Sequence, residues 1–132
     1  MNGELNMSKT AIRTENAPVP TGPFNQAIKT GNFIFTSGQA GRNRETGKMG
    51  DIRDQARRCI GNLGAILEEA GSSLDDVVKA TVFLRHAEDA AAFNEEYKKF
   101  FTPPLPARSS AIVGLKNPDM LVEMEVIAVI QE

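Results

Sequence analysis

Hydrophobic positions recur along this chain with two different periods. Between Asp51 and Ala70, the residues Ile52, Ala56, Cys59, Ile60, Leu63, Ile66, Leu67 and Ala70 fall at helical spacing and make one apolar stripe. The spacing predicts a helix over 51–70, with Asp51 capping its start and Gly71 supplying a left-handed stop. Gly61 and Gly64 each weaken it by ~1 kcal/mol relative to alanine. Gly64 lies on the apolar side, four residues after Ile60, where it would let the helix sit close to a sheet. A second helix is expected over 88–101, its inward stripe made by Phe93, Tyr97, Phe100 and Phe101.

The remaining apolar positions alternate, as strands require. Ala11–Thr14 reads as a short edge strand. Phe24–Lys29 and Asn32–Gln39 read as two strands joined at Thr30–Gly31. In the second, Phe33, Phe35, Ser37 and Gln39 share one face and Ile34, Thr36 and Gly38 the other. Asp76–Arg85 follows, with Val78, Ala80, Val82 and Leu84 as an apolar face opposite Val77, Lys79, Thr81, Phe83 and Arg85. Arg108–Leu115 and Leu121–Ile130 complete the set. In the last, Val122, Met124, Val126, Ala128 and Ile130 face the core, while Leu121, Glu123, Glu125, Ile127 and Val129 face away.

The resulting order is strands, helix, strand, helix, two strands. Both strand–helix–strand links are expected to be right-handed, which places the two helices on one face of the sheet. The other face would then carry Phe33, Phe35, Phe83, Ile127 and Val129. That surface is too apolar for water, and association with further copies would cover it.

Composition narrows the possibilities. A chain of 132 residues with 41% hydrophobic and 24% charged residues is one globular domain with a real core. Residues 1–9 read as a flexible extension and 10–132 as a single domain, with Met7 an alternative start. The net charge of −2 argues against nucleic acid or an anionic membrane as partner. No apolar run reaches the ~20 residues of a membrane span, and no signal-peptide pattern opens the chain, so the expected location is the cytoplasm. One cysteine and one histidine cannot build a disulfide or a zinc site, so no metal is expected. Cys59 belongs to a helical stripe and reads as core, and His86 reads as a surface residue before the second helix.

Candidate chemistry centres on Pro-Pro-Leu-Pro-Ala-Arg-Ser-Ser, residues 103–110. Three prolines in four positions cannot continue a helix and stiffen the chain ahead of Arg108. The apolar run after it reads as a buried strand with an arginine at its mouth. A guanidinium fork fits a carboxylate or phosphate through two bonds at once; a structural ion pair is the plainer alternative. Glu123 and Glu125 point to one face of the last strand, and alternation alone does not choose between them.

Four segments together resemble one family. Gly-Pro-Phe-Asn-Gln-Ala at 22–27, Phe-Thr-Ser-Gly-Gln at 35–39, Pro-Ala-Arg-Ser-Ser at 106–110 and Val-Glu-Met-Glu-Val-Ile-Ala at 122–128 are similar, in this order, to the RidA (YjgF) imine deaminases. The likeness runs from about Thr10 to the C-terminus. It implies an α+β fold like that of chorismate mutase, with a mixed sheet carrying two helices on one face. It also implies a homotrimer with clefts between subunits, and no metal or organic cofactor. The implied reaction is hydrolysis of 2-imino or enamine acids, such as 2-aminoacrylate and its imine tautomer, to 2-keto acids and ammonia. By position, Arg108 resembles the carboxylate binder and Glu123 the residue that orients water. Ser37 and Gly38 match the cleft strand, and Asn94 and Ser110 match residues around the pocket. Phe24 stands where many members carry tyrosine, and Ser110 where many carry cysteine. The resemblance leaves two alternatives open: a bulkier enamine such as 2-aminomuconate, or a ligand-binding, chaperone-like or translation-inhibiting protein without catalysis.

Overall fold

The computed structural model describes residues 8–131; the reading of 1–7 as part of a flexible extension lies outside them. Six strands, β1 (Thr10–Ile12), β2 (Ala27–Thr30), β3 (Phe33–Thr36), β4 (Val77–Leu84), β5 (Ala107–Ile112) and β6 (Val122–Val129), form one sheet in the order β1-β2-β3-β6-β4-β5. All neighbours are antiparallel except β4 and β5. Helix α1 (Ile52–Glu69) links β3 to β4, and α2 (Ala90–Tyr97) links β4 to β5. The fold is α+β, as expected.

Helix α1 follows its pattern closely. Asp51 accepts from the backbone of Asp54 while the Asp54 side chain accepts from the Asp51 backbone, a reciprocal capping box. Gly71, at φ +86°, makes the left-handed stop. Ala56, Cys59, Ile60, Leu63, Ile66 and Leu67 are fully buried against the sheet residues Ile34, Ala80, Val82, Val122, Met124 and Ala128. Phe93, Tyr97 and Phe101 join the same cluster, so both helices cover one face. Burying side chains of this size stabilises the fold by roughly 1.5–3 kcal/mol each. α2 is shorter than its pattern suggests, preceded by a 3-10 turn (Ala87–Asp89), and Phe100 is only partly buried.

Several expectations need correction. Gly64 does not make way for the sheet: a Cβ there would meet only the Leu74 side chain, at an ordinary 3.4 Å. The close approach is at Gly41, where a Cβ would lie 2.6 Å from the Cα of Gln55 in α1. In β4 the pairing register shifts between Val77 and Lys79, so Val77 is buried and Val78 is 44% exposed, reversing their expected faces. The strand β5 is not buried. It lies at the sheet edge, and Ile112 is 54% exposed. It also ends at Ile112 rather than Leu115.

The largest departure is in β3, and it shapes the site. Phe35 pairs with Ile127, but Gln39 pairs with Met124, so the chain from Phe35 to Gln39 holds one residue more than its partner. Thr36 bridges the irregularity: its Oγ1 accepts from Val126 N (3.0 Å) and donates to Val126 O (3.3 Å). Ser37 and Gly38 bulge out of the ladder, and the parity inverts beyond them, leaving Gln39 buried rather than on the face of Phe35.

Candidate active site

The bulge is the floor of a cavity of about 610 Å³ that contains Phe24, Ser37, Gly38 and Glu123. Glu123, on β6, points to the face away from the helices because its register partner is Phe83 and its neighbours Val122 and Met124 are core. Its side chain lies over Gly38, where a Cβ would come within 2.9 Å of Cδ and 3.1 Å of Cγ. The glycine is thus required by a close approach, without any unusual φ. Ser37 is tied to β2's approach: its N–H donates to Gln26 O (2.9 Å) and its hydroxyl to Asn25 O (2.5 Å). Phe24 is half exposed at the mouth.

One wall is the proline-rich loop, which contributes Pro18, Val19 and Pro20. The buried Gln26 holds it there. Gln26 Oε1 accepts from Thr14 N (2.7 Å), and Nε2 donates to Thr14 O (3.0 Å) and Pro18 O (2.9 Å). Sequence reasoning placed Gln26 in a motif and in a strand without assigning it this role; β2 in fact starts at Ala27. The signal available was a glutamine in an otherwise apolar run, since a buried amide must find partners.

Burial pushes the Glu123 carboxyl above the ordinary carboxylate range, Glu125 adds to this, and Lys116 opposes both. A carboxyl so placed can take and return protons nearer neutrality than a solvated one. Behind it, Cys59 is fully buried, its Sγ donating to Gln39 O at 2.9 Å. Burial, chiefly, pushes the thiol up to about 12, so it is inert, as its place in the stripe suggested.

Arg108, Asn94 and Ser110 are not in this cavity. In the parallel pairing of β4 and β5, Arg108 stands opposite Ala80 and Ser110 opposite Val82, on the helix side of the sheet. Arg108 Nη2 donates to Asn94 Oδ1 (2.6 Å), and the guanidinium lies over the Tyr97 ring, 4.7 Å from its centroid, and 5.6 Å from that of Phe93. One helix therefore aims the cation with three side chains at positions i, i+1 and i+4. Phe93 and Tyr97 read from the sequence only as core; both are also the platform for Arg108. The guanidinium makes no ion pair among the described residues. The seven residues thus form two groups on opposite faces of one sheet: an acid with its cavity, and a held cation with open hydrogen-bonding positions.

His86 is half exposed, 4.0 Å from Glu88, and outside the cavity lining. Among the described residues, no group of three His, Cys, Asp or Glu side chains could hold a metal. None of the described helices is long and apolar enough to cross a membrane.

Comparison with known proteins agrees with this arrangement. The family model described as Endoribonuclease L-PSP matches residues 14–130. A RutC family protein of Pyrococcus abyssi is 52% identical over 124 residues, covering 92% of this chain and 98% of that protein. The 2-iminobutanoate/2-iminopropanoate deaminase of Escherichia coli is 45% identical over 127 residues, covering 93% and 98%. Among solved structures, E. coli TdcF with bound serine superposes with a TM-score of 0.86 at 39% identity, covering 93% of this chain and all of TdcF.

Proposed function

Because the chain belongs to the Rid (YjgF, endoribonuclease L-PSP) family, we propose that it is an enzyme that hydrolyses 2-imino acids to 2-keto acids and ammonia. The observation that carries this reading is the Glu123 carboxyl, set over Gly38 in a cavity and raised in pKa by burial. Relatives at 42–45% identity bear the name 2-iminobutanoate/2-iminopropanoate deaminase. The serine bound in TdcF has the same α-carboxylate as such a substrate.

In the proposed reaction, Arg108 clamps the carboxylate of the imino acid with two parallel bonds, leaving the adjacent C=N bond at a set position. Glu123 accepts a proton from water as the water oxygen attacks the imine carbon, and the nitrogen takes up a proton. Collapse of the tetrahedral adduct re-forms C=O and breaks the C–N bond, with Glu123's proton passing to the departing ammonia. The overall balance is imine plus water to ketone plus ammonia.

Arg108 and Glu123 lie on opposite faces within one chain, so the reading also requires that the cation of one subunit meet the cavity of the next. The open face supplies a reason for such contact: Phe33 and Phe35 are 48% and 43% exposed, their centroids 6.3 Å apart. A trimer closed by these faces is the proposed assembly. The endoribonuclease description of the family model has weaker support here, since the net charge is −2 and the sole histidine lies outside the cavity.

The test is ammonia release from 2-iminobutanoate generated in place by an amino-acid oxidase, using wild type, Arg108→Ala, Glu123→Gln, and the two variants mixed after unfolding and refolding together. The expected result is two inactive variants and a mixture regaining about a quarter of the sites, as random trimers with sites shared between neighbours would. No acceleration by the wild type would overturn the enzyme reading. Two inactive variants with no recovery on mixing would overturn the shared site.

A further inference from the structure

The cavity around Glu123 contains charge that hydrolysis of a simple imino acid does not use. Arg42, Arg44 and Lys116 line it, three cations against one carboxylate, in a chain whose net charge is −2. Neither arginine fork is loose. Arg42 Nη1 donates to Gly47 O and Arg44 Nη2 to Glu15 O, both at 2.8 Å, leaving the other arm of each unpaired among the described residues. Their loop is itself ordered: Asn43 N donates to Lys48 O (2.8 Å), and Asn43 Oδ1 accepts from the backbones of Glu45 and Thr46.

Lys116 is built differently and is the more informative of the three. Its turn is pinned by Arg85, which donates to Leu115 O (3.1 Å), Asn117 O (2.8 Å) and Met120 O (2.7 Å), on both sides of the lysine. The backbone is therefore fixed while the ammonium makes no hydrogen bond or ion pair among the described residues. Between these cations and Gly38, the wall is apolar, formed by Val19, Phe24, Met49 and Met120. A positive rim, an apolar span and a proton-transferring carboxyl suit a substrate with an anionic group at each end and carbon between.

Accepting the deaminase reading, in which Arg108 takes the α-carboxylate, we infer that Lys116, with Arg42 and Arg44, forms a distal subsite for a second carboxylate, so that the preferred substrates are 2-imino acids with an acidic side chain. The reaction that supplies them is then a dehydrogenation or elimination acting on an acidic amino acid. The chemistry at C=N is unchanged; the distal group decides which imine is held long enough to react.

The experiment compares kcat/KM for 2-iminoglutarate and 2-iminobutanoate, each generated in place, in wild type, Lys116→Gln, Arg44→Gln and a control, Lys29→Gln, outside the cavity. The acidic substrate is expected to be favoured by at least about fivefold, the size of a half-solvated charged contact. That ratio should fall toward one in Lys116→Gln, fall in Arg44→Gln, shrink as salt is raised, and stay unchanged in Lys29→Gln. 2-Oxoglutarate should likewise compete better than 2-oxobutanoate against either substrate. A wild-type ratio near one, or a ratio untouched by both cavity variants, would overturn the subsite while leaving the deaminase intact. Hydrolysis of neither imine would instead remove the underlying activity. If Arg108→Lys left both rates high while Lys116→Gln abolished both, the cavity cations would be holding the α-carboxylate, and the distal assignment would be wrong.

Discussion

Glu123 occupies the space that a side chain at position 38 would need, its Cδ 2.9 Å from where a Cβ on Gly38 would stand. The conflict is with the far end of a flexible side chain, so the fold can absorb it and the carboxyl must move. We expect Gly38→Ala to remain folded, with a melting temperature within a few degrees of wild type, and to lose on the order of a hundredfold in kcat, since displacements of ~1 Å have that effect. A folded Gly38→Ala with full activity would show that the carboxyl's position is not critical.

Arg108→Lys is expected to be nearly as damaging as Arg108→Ala. Lysine keeps the charge but cannot lie flat on Tyr97, bond Asn94 and still present two donors to a carboxylate. Keto-acid binding by calorimetry should be weak in both variants, with secondary structure unchanged by circular dichroism. Near-full activity in Arg108→Lys would mean the fork geometry is irrelevant.

The acid limb of the pH–rate profile should follow the neighbours of Glu123. Burial and Glu125 raise its pKa and Lys116 lowers it. Glu125→Gln should therefore shift the limb to lower pH, and Lys116→Gln should shift it to higher pH. The kcat/KM of a neutral substrate measured from pH 4 to 8 reads both; limbs that coincide in all three proteins would assign the ionisation to another group.

Glu96 ties α2 to α1. Its side chain is 2% exposed and accepts from Arg53 (2.9 Å), Arg57 (3.2 Å) and Lys99 (3.2 Å). The bond from Arg53, above all, holds its pKa down to about 2 from an ordinary 4.5. The folded value lies below the unfolded one, so the stabilisation is complete above pH ~4.5 and disappears as pH falls through ~2. The gap in urea midpoint between wild type and Glu96→Gln should be constant from pH 7 to 5 and close below pH 4. A gap that persisted at pH 2 would make it a packing effect. Removing one member of such a cluster leaves buried charge uncompensated, so Glu96→Gln should be the less stable protein at neutral pH.

The sequence by itself determined the elements and their inward faces. The helical stripe from Ile52 to Ala70, with Asp51 and Gly71 at its ends, and the alternation from Val122 to Val129 were legible because burial imposes a period on local sequence. It also pointed to Arg108, Glu123, Ser37 and Gly38, because short motifs survive as contiguous text. Tertiary structure decided what those motifs face. The parity of β3 breaks at Ser37–Gly38 because β6 offers one residue fewer across the ladder, which no property of β3 alone reveals. β5 is an edge because nothing in the order of elements pairs beyond it, so the strand expected to be buried is open. Arg108 and Glu123 parted to opposite faces because side-chain direction in a sheet is set by register with a neighbouring strand, here β4 for both, and register is a relation between distant segments. The same holds for Tyr97, whose ring meets a guanidinium eleven residues away only once β5 has returned beside β4.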